Sequence, residues 1–190
     1  MESKIAVLIV NGKPLSGKTE IQKICEECFG GIYTIESKSS VGKIYEIMRS
    51  LGWDGDKNEQ FRKEMSYIKS IYIRNCNGPT RDLLLHVYRE LTDGRRNRPL
   101  IIFYDCREKD EIKKAKDAIN ELSEYFNVVC KTLYVDRPEV AILEYGNKSD
   151  DSDVIVDRGY YDCVIDNSGT LNELRSNTAE IIREIMEEKK

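Results

Sequence analysis

The sequence shows no long apolar segment, no basic excess and no recognisable signal-peptide pattern, three features that mark large classes of protein. No stretch approaches the roughly 20 apolar residues that cross a bilayer, and no small-residue cleavage site follows the N-terminal residues. The formal net charge is −4, whereas a nucleic-acid-binding domain usually carries a basic excess. These absences predict a cytoplasmic protein whose partners include neither a membrane nor a nucleic acid.

Histidine is nearly absent, and the six cysteines form no clear metal-binding pattern. The single histidine, His86, lies in the helical run Leu83–Tyr88 and is interpreted as a packed or half-exposed helix residue rather than a catalytic one. Cys25 and Cys28 form a lone C-x-x-C, and a zinc site would require two further ligands at short spacing. A chain of 190 residues does not need disulfides to fold, so free thiols are expected.

What the sequence does contain is a regular alternation of apolar and amphipathic segments. Strands are predicted at Lys4–Val10, Ile32–Ile35, Leu100–Tyr104, Val128–Val135 and Tyr160–Ile165. Helices are predicted at Gly17–Phe29, Ser40–Leu51, Glu59–Ile73, Thr80–Leu91, Asp110–Phe126 and Leu171–Glu188. The alternation predicts one α/β domain over residues 1–190, with a five-stranded parallel sheet between helices on both faces.

The most specific motif is G-x-x-x-x-G-K-T at Gly12–Thr19, which directly follows the first predicted strand and opens the first predicted helix. Its glycines let the backbone curl so that successive N–H groups point inward toward a phosphate. Lys18 is predicted to bridge the β- and γ-phosphates of ATP, and the Thr19 hydroxyl to ligate Mg²⁺. The predicted nucleotide-binding residues are Gly12, Lys13, Ser16, Gly17, Lys18 and Thr19.

A second signal is the apolar run that ends at Asp105. An acidic residue at the end of a buried strand is where phosphate-loop proteins hold Mg²⁺, so Asp105 is a predicted metal ligand and catalytic residue. Arg107 follows at the same strand end, where its guanidinium either grips an acceptor phosphate in a bidentate manner or pairs with Glu108 or Asp110 on the surface.

The phosphate loop, the strand ending in Asp105 and the tail Tyr161–Leu174 resemble the nucleoside monophosphate kinase superfamily. The tail is similar to the D-x-V-I-D-N-x-G-T/S-L-x-E-L ending of dephospho-coenzyme A kinases. The central stretch, Ser39–Lys57 followed by Phe61–Lys63, is similar to phage and bacterial proteins described as deoxynucleoside monophosphate kinase-like. The resemblance implies the P-loop kinase fold with a short lid, and transfer of the γ-phosphoryl group of ATP to a nucleoside or deoxynucleoside monophosphate.

The resemblance also implies where the acceptor and the lid would lie. A helical insertion at residues 36–98 would bind the acceptor, with Ser39, Ser40 and Arg62 close to it. A lid-like segment at residues 136–158 would direct arginines at the transferred group. The candidates there are Arg137, as a catalytic residue, and then Lys148 and Arg158.

Three alternatives to this interpretation stay open. The acceptor could be dephospho-coenzyme A instead of a nucleoside monophosphate. The protein could be a GTPase-like switch, since Asn147–Asp150 matches N-K-x-D and Asp166–Gly169 matches D-x-x-G, although in reversed order. It could also be a nucleotide-binding module without catalytic activity. The oligomeric state is not predicted.

Overall fold

A computed structural model of the protein describes residues 4–56, 58–93, 96–138 and 158–188. Its strands are β1 Ile5–Asn11, β2 Thr34–Ser39, β3 Leu100–Asp105, β4 Val128–Asp136 and β5 Cys163–Asp166. Its helices are α1 Lys18–Phe29, α2 Gly42–Ser50, α3 Glu59–Cys76, α4 Gly78–Thr92, α5 Lys109–Ser123 and α6 Leu171–Glu187, with a 3₁₀ turn at Arg158–Tyr160.

The five strands form one parallel sheet in the order β2-β3-β1-β4-β5, which confirms the predicted fold class. The chain leaves β1 toward β2 on one side and leaves the neighbouring strand β3 toward β4 on the other side. Crossovers that run in opposite directions from adjacent strands open a crevice at the carboxyl ends of those strands. The register places Val10 of β1 beside Asp105 of β3 at this crevice.

Helices cover both faces of the sheet because the central strands are apolar on both faces. On one face, α1 and α6 pack on alternate strand residues, among them Ala6, Leu8, Phe103, Leu133 and Ile165. On the other face, α4 and α5 pack on the intervening residues, among them Ile5, Val7, Ile102, Tyr104 and Val128. The result is the predicted three-layer architecture.

The edge strand β2 differs most from its prediction. Ile32–Ile35 was the expected strand because it is the apolar part of the segment, but the amides of Ile32 and Tyr33 both donate to the carbonyl of Phe29. These residues therefore continue the last turn of α1, and β2 runs through the polar residues Thr34–Ser39. An edge strand with an exposed face contains polar residues, so a search for a continuous apolar run does not find it.

Two further boundaries also differ from the predictions. The last strand begins at Cys163 and not at Tyr160, because residues 158–160 form the 3₁₀ turn. The predicted gap between the third and fourth helices, Asn75–Pro79, narrows to Asn77 alone. Its left-handed conformation, φ 47°, turns the chain from α3 into α4. No helix among the described residues is both long enough and apolar enough to span a membrane.

Helices α2 and α3 have a small core of their own. Ile44, Met48 and Phe61 are buried there, and Tyr45 and Trp53 pack against them. This cluster is separate from the two cores on the faces of the sheet. Helices α2 and α3 therefore pack as a small lobe between β2 and α4, which we call the α2–α3 lobe.

Candidate nucleotide-binding site

The loop between β1 and α1 is curled as the glycine motif predicts. Gly12, Leu15 and Gly17 have φ angles of 151°, 63° and 105°, and all three lie in the region that favours glycine. A Cβ on Gly12 would come within 2.7 Å of the carbonyl oxygen of Val135. A Cβ on Gly17 would collide with the side-chain nitrogen of Asn167. Only glycine fits both positions.

Two asparagines outside the motif brace the curled loop. Asn11 is the last residue of β1. Its Oδ1 accepts a hydrogen bond from the amide of Gly12 at 2.7 Å, and its Nδ2 donates a hydrogen bond to the Tyr161 hydroxyl at 2.8 Å. Asn167, just after β5, donates from Nδ2 to the carbonyl of Ser16 at 2.8 Å. Sequence reasoning did not assign either residue to the site. The Asn-Gly pair after an apolar strand was a usable signal for Asn11, whereas only the sheet order brings Asn167 to the loop.

The loop ends at the N-terminus of α1, where the first amides of a helix have no intrahelical acceptor. Gly17 occupies the N-cap position and provides no side-chain cap. Those amides and the positive end of the helix dipole therefore face the interior of the loop, an arrangement that binds anions. Thr19, the predicted Mg²⁺ ligand, is exposed in the first turn of the same helix.

Lys18 folds over the loop and not away from it. Its Nζ donates to the carbonyls of Gly12 at 2.7 Å and Lys13 at 2.8 Å. Burial, together with the nearby positive charge of Arg107, lowers the pKa of Lys18 to about 8, and Asp105 opposes this shift. The ammonium group is therefore held at the loop by carbonyl oxygens and lies in the field of both charged residues at the end of β3.

Asp105 lies at the crevice with a buried oxygen. Burial raises the pKa of its carboxyl, while Lys18, Arg107 and a hydrogen bond with Gln22 oppose the increase. Among the described residues, neither Asp105 Oδ1 nor Ser16 Oγ has a hydrogen-bond partner, although both atoms are buried. An unsatisfied buried polar atom costs about 1–3 kcal/mol. These two oxygens therefore fit a site that is completed by a cation and a phosphate.

Arg107 and two serines lie around the same strand end. Arg107 is near enough to Lys18 and Asp105 to influence the pKa of both side chains. Ser39, the last residue of β2, pairs with Asp105 in the sheet register, and the amide of Ser40 donates to the Asp105 carbonyl at 2.9 Å. The predicted residues Lys18, Asp105, Arg107, Ser39 and Ser40 thus surround one crevice.

The remaining predicted residues lie on other elements. Arg62 is exposed in the first turn of α3, and Arg137 is exposed one residue beyond β4. Neither is among the charges that shift the pKa of Lys18 or Asp105. Arg158 forms an ion pair with the buried Asp136 at the end of β4. Lys148 and the N-K-S-D sequence lie outside the described residues.

The sheet order, the curled loop after β1 and the lysine at its end define the P-loop class of α/β folds. No protein-family profile matches the sequence, and no curated protein matches it. The structure is similar to that of APE1195, with a TM-score of 0.53 and 17% identity over 98% of this chain and 99% of that chain. It is also similar to the APS kinase CysC of Mycobacterium tuberculosis in complex with AMPPNP and APS, with a TM-score of 0.51 and 10% identity over 95% and 99% of the two chains. The chain therefore has the P-loop α/β fold.

Proposed function

We propose that the protein transfers the γ-phosphoryl group of ATP to the phosphate of a nucleoside or deoxynucleoside monophosphate. The observation that carries this proposal is the convergence of three side chains on one crevice. Arg107 and Asp105, from the end of β3, both influence the pKa of Lys18 in the curled loop, and Lys18 and Arg107 both influence the pKa of Asp105. A half-buried cluster of two cations and one carboxylate beside the N-terminus of α1 is suited to a triphosphate with its metal.

Each residue of the cluster has a defined role in this proposal. The Gly12–Thr19 loop binds the β-phosphate through its amides, and Lys18 leaves the loop carbonyls to contact the β- and γ-phosphates. Arg107 holds the acceptor phosphate by paired hydrogen bonds. Asp105 and Thr19 would hold Mg²⁺, which when bound neutralises charge on the transferring group. Arg137, in the lid segment at residues 136–158, would add positive charge to that group.

No general base is required for this reaction. The second pKa of a phosphate monoester is about 6, so the acceptor is largely dianionic at neutral pH. Catalysis then depends on aligning the two substrates and on neutralising charge. The side chains at the crevice, Lys18, Arg107 and Asp105, provide these two contributions.

The α2–α3 lobe, within residues 36–98, supports the acceptor part of the proposal. It contains a cavity of about 450 Å³ whose lining includes Trp53 and Phe61, and these two rings stack at 4.1 Å between centroids. Cavities of this size bind small ligands, and aromatic faces are suited to a nucleobase. The same helix, α3, reaches the crevice, because its Lys69 pairs with Glu108, the neighbour of Arg107.

The decisive experiment is a coupled assay with Mg²⁺·ATP across the ribonucleoside and deoxyribonucleoside monophosphates. Dephospho-coenzyme A is included as the alternative acceptor, and APS because the structural neighbour CysC was solved with it. Lys18→Ala should lower turnover by about 10²–10³-fold, the range measured when one electrostatic contact to a transition state is removed. Lys23→Ala is the matched control, since Lys23 is an exposed lysine on the same helix.

The possible results separate the alternatives. Turnover of a monophosphate that is lost in Lys18→Ala and kept in Lys23→Ala supports the kinase. ATP binding with no turnover of any acceptor contradicts the proposal and favours a binding module. Tight GDP binding that needs no acceptor favours the GTPase-like alternative. Tyr67→Ala, which removes an exposed ring from the lining of the same cavity, should raise the KM for the acceptor and leave the KM for ATP unchanged.

A further inference from the structure

A second group of polar side chains lies at the edge of the sheet, away from the phosphate loop. Glu36 lies in the edge strand β2, and His86 and Glu90 lie one turn apart on α4. One ligand atom of each residue lies within 4.8 Å of the others. Glu36 precedes Ser39, the strand residue at the crevice, by three positions, which is about 10 Å along a strand. This group is therefore distinct from the candidate nucleotide-binding site.

The fold brings the three side chains together for clear geometric reasons. Ile35 packs toward the core that contains α1 and α6, so Glu36 points to the opposite face of the sheet, where α4 lies. Leu83 and Val87 anchor α4 on that face. Residues four apart on a helix share one side, which directs His86 and Glu90 together toward β2. All three side chains are half-buried, so their positions are restricted before any ligand binds.

The charges of the group are only partly compensated by protein. His86 Nε2 lies 2.7 Å from Glu36 Oε2, and the Lys38 ammonium lies 3.7 Å from the same carboxylate oxygen. Glu90 has no ion pair among the residues that the structure describes. Within the part of the chain that the structure describes, Lys38 is the lysine that offsets the two carboxylates, and it does so at Glu36 alone. Its side chain is 44% exposed and free to turn toward solvent.

We infer that Glu36, His86 and Glu90 bind one divalent transition-metal ion, for which Zn²⁺ is the best chemical match. Zinc accepts imidazole and carboxylate ligands at about 2.0–2.2 Å and commonly takes three protein ligands plus water. A tetrahedral ion with such bonds spans roughly 3.4 Å between ligand atoms, so small side-chain rotations close the observed triangle. Mg²⁺ prefers oxygen ligands and is disfavoured by the imidazole.

The position of the ion gives it a structural role. β2 leads into the α2–α3 lobe and α4 leads out of it. An ion bound by one residue of β2 and two of α4 would link the two ends of the lobe and fix its base to the sheet. The ion would thus restrict movement of the lobe without contacting the crevice.

The test is calorimetric titration of ZnCl₂ into the metal-free, full-length chain with excess Mg²⁺ and a phosphine reductant present. We expect the parent chain to bind one Zn²⁺ ion. Each of the variants Glu36→Gln, His86→Ala and Glu90→Gln should bind Zn²⁺ at least about tenfold more weakly, since even the loss of an outer-shell partner of a metal site weakens metal binding by that much. Glu121→Gln, an exposed change on α5, should bind Zn²⁺ like the parent chain. Saturating Zn²⁺ should raise the Tm of the parent chain and of Glu121→Gln only.

Cobalt binding checks the ligand type, because the chain has six free cysteines. A visible Co²⁺ spectrum without a thiolate charge-transfer band supports the site, and a strong thiolate band overturns it. The inference is also overturned if no heat is released at micromolar Zn²⁺, or if the three variants bind Zn²⁺ as tightly as the parent. In that last case the group is an ion-pair cluster that only stabilises the fold, and the metal-free variants would have a lower Tm than the metal-free parent chain.

Discussion

The hydrogen bond from Asn167 to the phosphate loop leads to the sharpest prediction. Its Nδ2 lies 2.8 Å from the carbonyl oxygen of Ser16, and Ser16 is fully buried. Asn167→Ala leaves that carbonyl without its partner, at a cost of about 1–3 kcal/mol. If the phosphate loop changes conformation in the variant, ATP must restore the binding conformation, and the free energy of the lost hydrogen bond is then subtracted from the free energy of ATP binding. Because 1.4 kcal/mol corresponds to a factor of ten, the Kd for ATP should rise by roughly 5- to 150-fold.

Isothermal titration with Mg²⁺·ATP and thermal unfolding without ligand measure the two parts of this cost. Asn172→Ala is the matched control, since Asn172 is an exposed asparagine in the first turn of α6. Asn167→Asp should weaken binding more than Asn167→Ala, because it places a carboxylate beside the phosphates. An unchanged Kd in both Asn167 variants would refute the reasoning, since the loop would then hold its shape without the brace.

Three further predictions concern other parts of the fold. Gly12→Ala should abolish ATP binding in titration, because its Cβ would lie 2.7 Å from the Val135 carbonyl; Gly42→Ala, with open space around its Cβ, is the control. Lys69→Met should lower the free energy of unfolding in urea by about 1–3 kcal/mol, because it leaves the Glu108 carboxylate without its ion-pair partner. The double variant Lys69→Met/Glu108→Gln should recover part of that loss. Asp162→Asn should lower the same free energy by about 0.5–1.5 kcal/mol at pH 7, because Asp162 accepts from Thr132 and Lys116.

The Asp162 prediction has a definite dependence on pH. Burial alone raises the pKa of Asp162, but hydrogen bonds from Lys116 and Thr132 outweigh it, so the net pKa is lowered. Stability from a lowered carboxyl pKa is complete above the ordinary value of about 3.9 and is lost as the pH falls through the lowered value. The difference between parent and Asp162→Asn should therefore close below about pH 4. A difference that stays constant from pH 7 to pH 3 would contradict this account.

Specific results would also contradict the predictions for Gly12→Ala and Lys69→Met. Normal ATP affinity in Gly12→Ala would show that the loop can open away from β4 without loss of its shape. If Lys69→Met is as stable as the parent chain, the cost of burying the Lys69 ammonium cancels the gain from its ion pair with Glu108.

The parts of the site that sequence could predict are those whose chemistry is local. The Gly12–Thr19 motif carries its own turn requirements, and the apolar run before Asp105 marks a buried strand, so both could be placed without knowing the topology. Asn167 could not be placed in the same way, because it reaches Ser16 only through the position of β5 beyond β4. Contacts between distant segments depend on strand order, which periodicity does not contain.

The same distinction explains the error at β2 and the group at the sheet edge. Sequence favoured the apolar residues Ile32–Ile35, whereas hydrogen bonding to β3 placed the strand over Thr34–Ser39. In the observed strand, Glu36 lies on the face of the sheet that carries α4, opposite His86. As a helix residue alone, His86 indicated only packing. Its inferred role as a metal ligand depends on a strand register that the apolar pattern did not reveal.

The way in which the α2–α3 lobe is attached suggests how the fold would serve phosphoryl transfer. Its apolar core is separate from the cores of the sheet, so rotation of the lobe as a unit would not unpack the domain. Helix α3 packs along α4, where the Tyr72 hydroxyl donates to Asp82. Two polar contacts link the lobe to the end of β3: Ser40 to Asp105 at its entry, and Lys69 to Glu108 midway along α3. Both contacts end beside the residues proposed to act on phosphate. Closure of the lobe on an acceptor would therefore act directly on the end of β3, while the hydrophobic core that supports the phosphate loop stays unchanged.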